Sequence, residues 1–182
     1  MTRVLGTILA GGRSTRFGSD KALATLDGRA LIDRVMDALG PQVDALVVVG
    51  RSHPGVPCIP DRPAPDLGPL GGIAAALHHA RAHGFEQVLT VPCDAPFLPT
   101  TLRQQLSDAG PAAYYADLPV VGWWPSGASP VLDMLLAEGG SRSVRAFTDR
   151  IGATAVAASG EIANINTPDD LALLAKRDIA ER

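Results

Sequence analysis

Three short apolar runs, separated by stretches with helical spacing, constrain this chain more than any other feature. Val4–Leu9, Ala45–Val49 and Gln87–Val91 are each five or six residues long and free of Asp, Glu, Lys and Arg. Such runs suit strands buried on both faces of a sheet. After the first, Leu31, Ile32, Val35, Met36 and Leu39 recur at helical spacing until Gly40-Pro41 stops them. After the second, a proline-rich loop leads to Gly68-Pro69-Leu70-Gly71-Gly72, which opens a helix running to about His83. After the third, the pattern predicts a short helix from Pro99 to Leu106 and strands over Ala112–Tyr115 and Leu118–Trp124. Helices follow over Pro130–Ala137 and Ser141–Arg150. A last helix is capped by Thr167, with Pro168 in its first position and Asp169 and Asp170 at the positive end of its dipole. The order β-α-β-α-β with short connections specifies an α/β fold: a mostly parallel central sheet between two helical layers.

In such sheets ligands bind beyond the carboxyl ends of the strands. Three unusual features fall there: a glycine-rich turn after the first strand, Gly50 after the second, and Asp94 after the third. The turn runs Leu9-Ala10-Gly11-Gly12-Arg13-Ser14-Thr15-Arg16-Phe17-Gly18-Ser19-Asp20-Lys21. Gly11 and Gly12 let main-chain N–H groups approach an anion with no Cβ in the way. Arg16 and Lys21 add cations. Lysine is scarce, since only Lys21 and Lys176 occur among 16 basic residues. A compact ammonium placed inside this turn suits a polyphosphate. The spacing is not that of a Walker A loop, because no Gly-Lys-Ser/Thr follows, and no G-x-G-x-x-G can be read. A P-loop kinase and a nicotinamide enzyme are both disfavoured.

Composition narrows the partners. A net charge of −3 offers no general attraction for nucleic acid or an anionic membrane. Residues 1–62 carry eight Lys/Arg against six Asp/Glu, and the remainder eight against thirteen, so the slight positive excess lies with the glycine-rich turn. Two cysteines, Cys58 and Cys93, fit neither a disulfide framework nor a metal spacing, and a cytoplasmic setting is expected. Residues 1–30 lack the continuous apolar core of a signal peptide, and no apolar stretch is long enough to span a bilayer. His53, His78, His79 and His83 read as surface or helix residues.

Four segments in sequence order resemble the molybdenum cofactor guanylyltransferases. The first turn is similar to the family's L-A-G-G-x-S-x-R-F/M-G-x-D-K motif, and Gly68-Pro69-Leu70-Gly71-Gly72 to its G-P-L-A/G-G turn. Pro92-Cys93-Asp94-Ala95-Pro96-Phe97-Leu98 resembles its P-C-D-x-P-F/Y-L/I segment, and Asn164-Ile165-Asn166-Thr167-Pro168-Asp169-Asp170-Leu171 its N-x-N-T-P-E/D-D/E-L segment. The resemblance implies a three-layer Rossmann-like nucleotidyltransferase fold in a single domain, 1–182. About residues 1–98 would form the nucleotide-binding half and about 99–182 the acceptor-binding half. It implies GTP and molybdopterin, or molybdenum cofactor, as substrates, Mg²⁺ as the metal, and transient contact with cofactor-carrying proteins. Related cytidylyltransferases tend to carry Leu-Ala-Ala-Gly in the first motif, so Gly11-Gly12 favours guanine. A nucleotide-binding regulatory protein without transfer activity is the alternative from another class.

Within that frame Leu9, Ala10, Gly11, Gly12, Lys21, Asp61 and Asp94 are expected to bind the nucleotide, with Arg16, Lys21 and Asp94 catalytic. One aspartate at a strand end suffices for Mg²⁺, which completes its shell with phosphate oxygens and water; capping the turn before Pro96 is the plainer role for Asp94. Asp61 matches an aspartate of the family's nucleotide pocket, where a carboxylate can accept from guanine N–H groups or ribose hydroxyls. Asn164 and Asn166 alternate and so face one side of an extended segment, as an acceptor such as a pterin or phosphate requires; turn chemistry before Thr167 is the alternative. Arg142 and Arg145, spaced i and i+3, could hold the acceptor's phosphate or form a solvated helix face. The chain departs from the family at Gly50, where a polar residue often stands, and over Asp117 to Ser129. The paired Trp123-Trp124 in that stretch is expected to pack against the sheet or the pterin.

Overall fold

The structure is a computed structural model that describes residues 2–11, 24–139 and 143–158. Strand β1 (Val4–Leu9) forms parallel pairs on one side with β4 (Ala45–Val49) and on the other with β6 (Gln87–Pro92). Beyond β4 lies β5 (Cys58–Ile59), also parallel, inside the loop that the sequence left without structure. On the far side β6 pairs antiparallel with β8 (Leu118–Pro125), which pairs antiparallel with β7 (Ala113–Tyr115); β9 (Thr154–Val156) closes that edge parallel to β7. The described sheet thus has seven strands in the order β5-β4-β1-β6-β8-β7-β9. Only β8 runs against the others. The cause is local: two residues, Ala116 and Asp117, separate it from β7, and so short a link permits only an antiparallel hairpin. The expectation of a mostly parallel sheet holds.

Alternation along each strand feeds two cores. Leu5, Val47, Val49 and Val88 face one way and meet α2 (Pro69–Ala82), α4 (Ser129–Ala137) and α5 (Val144–Ile151). Val4, Ile8, Val48, Leu89 and Val91 face the other way and meet α1 (Leu31–Leu39) and α3 (Leu102–Asp108). Helix α1 buries Leu31, Ile32, Val35 and Leu39, the face its spacing predicted. Helix α2 is buried almost all round, with Leu70 through Leu77 inside, because α4 covers the side turned away from the sheet.

Several boundaries shift for identifiable reasons. Helix α3 begins at Leu102 rather than Pro99, since the Pro99 carbonyl is used in a turn that accepts Leu102 N–H at 3.1 Å. Helix α5 begins at Val144 rather than Ser141, because the Ser143 hydroxyl oxygen caps it by accepting Ala146 N–H at 3.2 Å. A small hairpin, β2 (Thr25–Leu26) with β3 (Arg29–Ala30), was not expected. Its signal was present in Asp27-Gly28, both at positive φ, the pair that two-residue hairpin turns favour. The last helix expected after Thr167 lies outside the described residues.

The tryptophan pair packs, as neighbouring residues of one strand must, on opposite faces. Trp123 joins the α1/α3 side at 5 % exposure, and Trp124 joins the α2/α4/α5 side at 0 %. Trp124 Nε1 donates to Thr90 Oγ1 at 2.8 Å, and Thr90 Oγ1 donates to Val120 O at 2.7 Å, so both buried polar atoms are satisfied. The ring lies over Gly122, where a Cβ would come within 1.9 Å of Trp124 Cζ2. Gly122→Ala is therefore an overpacking substitution, expected to cost about 1–3 kcal/mol and to lower Tm by roughly 2–4 °C per kcal/mol. Thermal unfolding checks this, and an unchanged Tm would contradict the packing.

Candidate functional site

The parallel ladder does not stop at the strand ends, and its last bonds assemble the site. Ala10 N donates to Val49 O at 2.9 Å, and Cys93 N donates to Leu9 O at 3.0 Å. The first residues of the glycine-rich turn are thereby tied to β4 on one side and to the end of β6 on the other. Gly11, Gly50 and Asp94 consequently stand on three adjacent strands, as the sequence placed them. Asp94 is half-buried in the turn after β6, one residue past the Cys93 link. Cys93 itself packs against the α1/α3 core as a small residue.

Asp61 joins from β5. Gly50 N donates to Ile59 O at 3.0 Å, which carries the chain two residues on to Asp61. The next residue, Arg62, donates its N–H to Gly71 O at 3.1 Å and so fastens this loop to the first turn of α2. A Cβ placed on Gly11 would lie 3.2 Å from Asp61 Oδ2, and one on Gly71 would lie 3.4 Å from Asp61 Cβ. One on Gly72 would meet Leu9 Cδ2 at 2.7 Å. The Asp61 side chain therefore sits between Gly11 and the Gly71-Gly72 step. The Gly68–Gly72 motif is legible in the sequence, but the close approach of Leu9 to Gly72 is not.

The electrostatics of Asp61 follow from that packing. Burial raises its pKa above the usual 3.8, and the nearby negative charge of Asp66 adds to the rise. Asp66 is held with φ at 63°, one of two such non-glycine residues described. A carboxylate made uncomfortable by lost water and a like charge gains from any ligand that donates N–H or O–H groups to it.

Other expected residues stand as follows. Gly12, Arg16, Lys21, Arg142, Asn164 and Asn166 lie outside the described residues. Arg145 Nη2 donates to Ala116 O at 3.1 Å and braces the β7–β8 turn. His53 is more enclosed than a surface residue, with 12 % side-chain exposure, and its Nε2 lies 3.1 Å from Asp33 Oδ1 of α1. His79 and His83 stack at 4.0 Å between ring centroids on the end of α2. Among the described residues no three His, Cys, Asp or Glu side chains cluster to hold a metal, and no helix is long and apolar enough to cross a membrane. An open groove of about 330 Å³ beside Pro41, Thr101 and Arg103 lies near the start of β1, where Arg103 reaches Thr2 O, and its lining holds no carboxylate, histidine or cysteine.

Residues 6–157 match the MobA-like NTP transferase domain. This chain belongs to that family. A molybdenum cofactor guanylyltransferase of Rhodobacter capsulatus is 37 % identical over 179 residues, covering 93 % of this chain and 94 % of that protein. One from Acidiphilium cryptum is 35 % identical over 176 residues, covering 90 % of each. Among solved structures, the molybdopterin-guanine dinucleotide biosynthesis protein A of Archaeoglobus fulgidus superposes with a TM-score of 0.77 at 24 % identity, covering 98 % of this chain and all of that one. The 2-C-methyl-D-erythritol 4-phosphate cytidylyltransferase of Thermus thermophilus gives 0.73 at 13 % identity, covering 95 % of this chain and 98 % of that one. These last two share the nucleotidyltransferase fold. As a member of the MobA-like family the chain is a nucleotidyltransferase.

The raised pKa of Asp61 makes a signed prediction. The folded state holds the Asp61 proton to higher pH than the unfolded state does, so ionisation destabilises the folded chain as pH rises from 3.8 through the raised value. Asp61→Asn removes that penalty. The Tm difference, variant minus native, is expected to grow across this window and level off above it. A difference that is flat or shrinks with rising pH would contradict the assignment.

Proposed function

We propose that this chain transfers GMP from GTP to the terminal phosphate of molybdopterin or its molybdenum-bearing form, releasing pyrophosphate and forming the guanine dinucleotide. The observation that carries this reading is that Gly11, Asp61 and Asp94 follow the ends of β1, β5 and β6 on one edge of the parallel sheet, with Gly11 against Asp61, in a chain of the MobA-like family. The names of its curated relatives support the guanine and the cofactor acceptor.

The acceptor's phosphate monoester has a second pKa of about 6, so it is largely a dianion at neutral pH and needs no general base. An acceptor oxygen attacks the α-phosphorus of GTP, an O–P bond forms, and the bond to the β-phosphate oxygen breaks as pyrophosphate departs. Catalysis then consists of aligning two anions and neutralising the charge that gathers on the leaving group. Leu9, Ala10, Gly11 and Gly12 present main chain to the triphosphate, and Arg16 and Lys21 supply its counter-charge. Asp61 accepts from the base or ribose of the nucleotide. Arg142, Asn164 and Asn166 bind the acceptor, which assigns about residues 1–98 to the nucleotide and about 99–182 to the acceptor.

Asp94 fits a divalent ion, Mg²⁺ in this reading: it is a half-buried carboxylate past a strand end, beside the main chain that leaves β1. A single such donor suits Mg²⁺, whose remaining positions go to phosphate oxygens and water. When bound, the ion would screen the triphosphate charge.

Purified chain mixed with Mg²⁺, molybdopterin and either GTP or CTP should release pyrophosphate with GTP as the preferred nucleotide. Preferential use of CTP, or no release, would overturn the reading. Asp94→Ala and Lys21→Ala should each lower turnover at least about 100-fold, corresponding to roughly 3 kcal/mol of lost transition-state stabilisation. Steady-state rates within threefold of the native chain would remove those residues from the mechanism.

A further inference from the structure

The residue that follows β4 is a glycine, and the geometry around it gives a reason. Gly50 has φ at +86°. Its N–H is spent on Ile59 O, and the carbonyl just before it, Val49 O, accepts Ala10 N–H, so its main chain is held from both neighbouring strands. A Cβ at this position would lie 2.5 Å from Gly11 Cα and 2.7 Å from Gly11 N. Those atoms are main chain, which cannot swing aside as a side-chain tip can. A Cβ on Gly11 would in turn meet Asp61 Oδ2 at 3.2 Å and Gly50 Cα at 3.5 Å. Gly11 is therefore packed closely against the main chain of Gly50 and the carboxylate of Asp61.

We propose that Gly50 is a positioning residue for the nucleotide. Its bare Cα is the floor on which Gly11 rests, and it fixes where Gly11 stands for the nucleotide. The residue acts through Gly11 rather than by touching the reacting atoms. Its effect falls on nucleotide binding, because the α-phosphorus chemistry depends on Asp94 and the cations once GTP is seated. The inference rests on the nucleotidyltransfer reading above.

A side chain at position 50 would also strain a left-handed backbone, and Gly55 separates the two effects. It lies in the same β4–β5 connection at φ +76°, with nothing within 4 Å of a Cβ built there. Gly50→Ala and Gly55→Ala both carry the backbone strain, but only the first carries the collision with Gly11. The native chain and both variants are assayed for pyrophosphate release over a range of GTP concentrations, with Mg²⁺ and molybdopterin saturating. Gly55→Ala should keep KM for GTP within twofold of native. Gly50→Ala should raise KM at least tenfold while kcat at saturating GTP falls less than threefold. A Gly50→Ala KM within threefold of native overturns the proposal, as does an equal rise in Gly55→Ala. A Gly50→Ala chain that fails to unfold cooperatively while Gly55→Ala does so also overturns it, since the residue would then be a folding requirement. A native chain that releases no pyrophosphate fails at the first arm, and the functional reading falls with the inference.

Discussion

The main-chain ladder that locks β1 between β4 and β6 is the constraint on which the rest of the structure depends. It runs in register from Leu5 opposite Ala45 to Leu9 opposite Val49 on one side, and from Val4 opposite Gln87 to Leu9 opposite Pro92 on the other. A strand with neighbours on both edges and helices on both faces is shut off from water, which is why Val4–Leu9 carries no charge. Because the ladder continues past the last strand residues, it also brings Gly11, Gly50 and Asp94 together. The site is a by-product of parallel pairing: residues 11, 50 and 94 meet because their strands end level.

Small residues then let the elements of the site approach closely. Gly11 approaches Gly50 main chain to main chain, and Gly72 admits Leu9. Parallel sheets leave little room at their carboxyl ends, because three chains depart there at once. Missing side chains at these junctions let the polypeptide chains approach one another closely. The acid admitted to this junction, Asp61, is held with its proton affinity raised by burial and by Asp66. That arrangement favours a ligand with donors to offer over a bare anion.

Much of this was legible in the residues. Uncharged five- and six-residue runs marked the three central strands, and the spacing of Leu31, Ile32, Val35 and Leu39 marked the buried face of α1. The placement of Asp94 and the glycine-rich turn at strand ends followed from the order of elements alone. What was not legible depended on contacts distant in sequence. The two-residue strand β5 has no periodicity of its own and exists because β4 offers it an edge. The start of α5 is set by the Ser143 cap, a matter of local geometry that composition does not express. Gly50 read as a simple strand terminator or as a missing contact, whereas its close approach to Gly11 emerges only when two strands distant in sequence are laid side by side. The Trp123-Trp124 pair left a choice between ligand and core, and strand alternation resolved it by sending the rings to opposite faces.

The central claim is that the carboxyl ends of β1, β4 and β6 form one metal-assisted nucleotide site. The most direct measurement is a crystal structure of the chain with GTP and Mg²⁺. The account predicts an Asp94 carboxylate oxygen on the ion at about 2.0–2.1 Å, the usual Mg²⁺–oxygen distance, with the triphosphate beside Gly11 and a nucleotide donor facing Asp61. A nucleotide bound away from these strand ends, or an ion that does not touch Asp94, would contradict it.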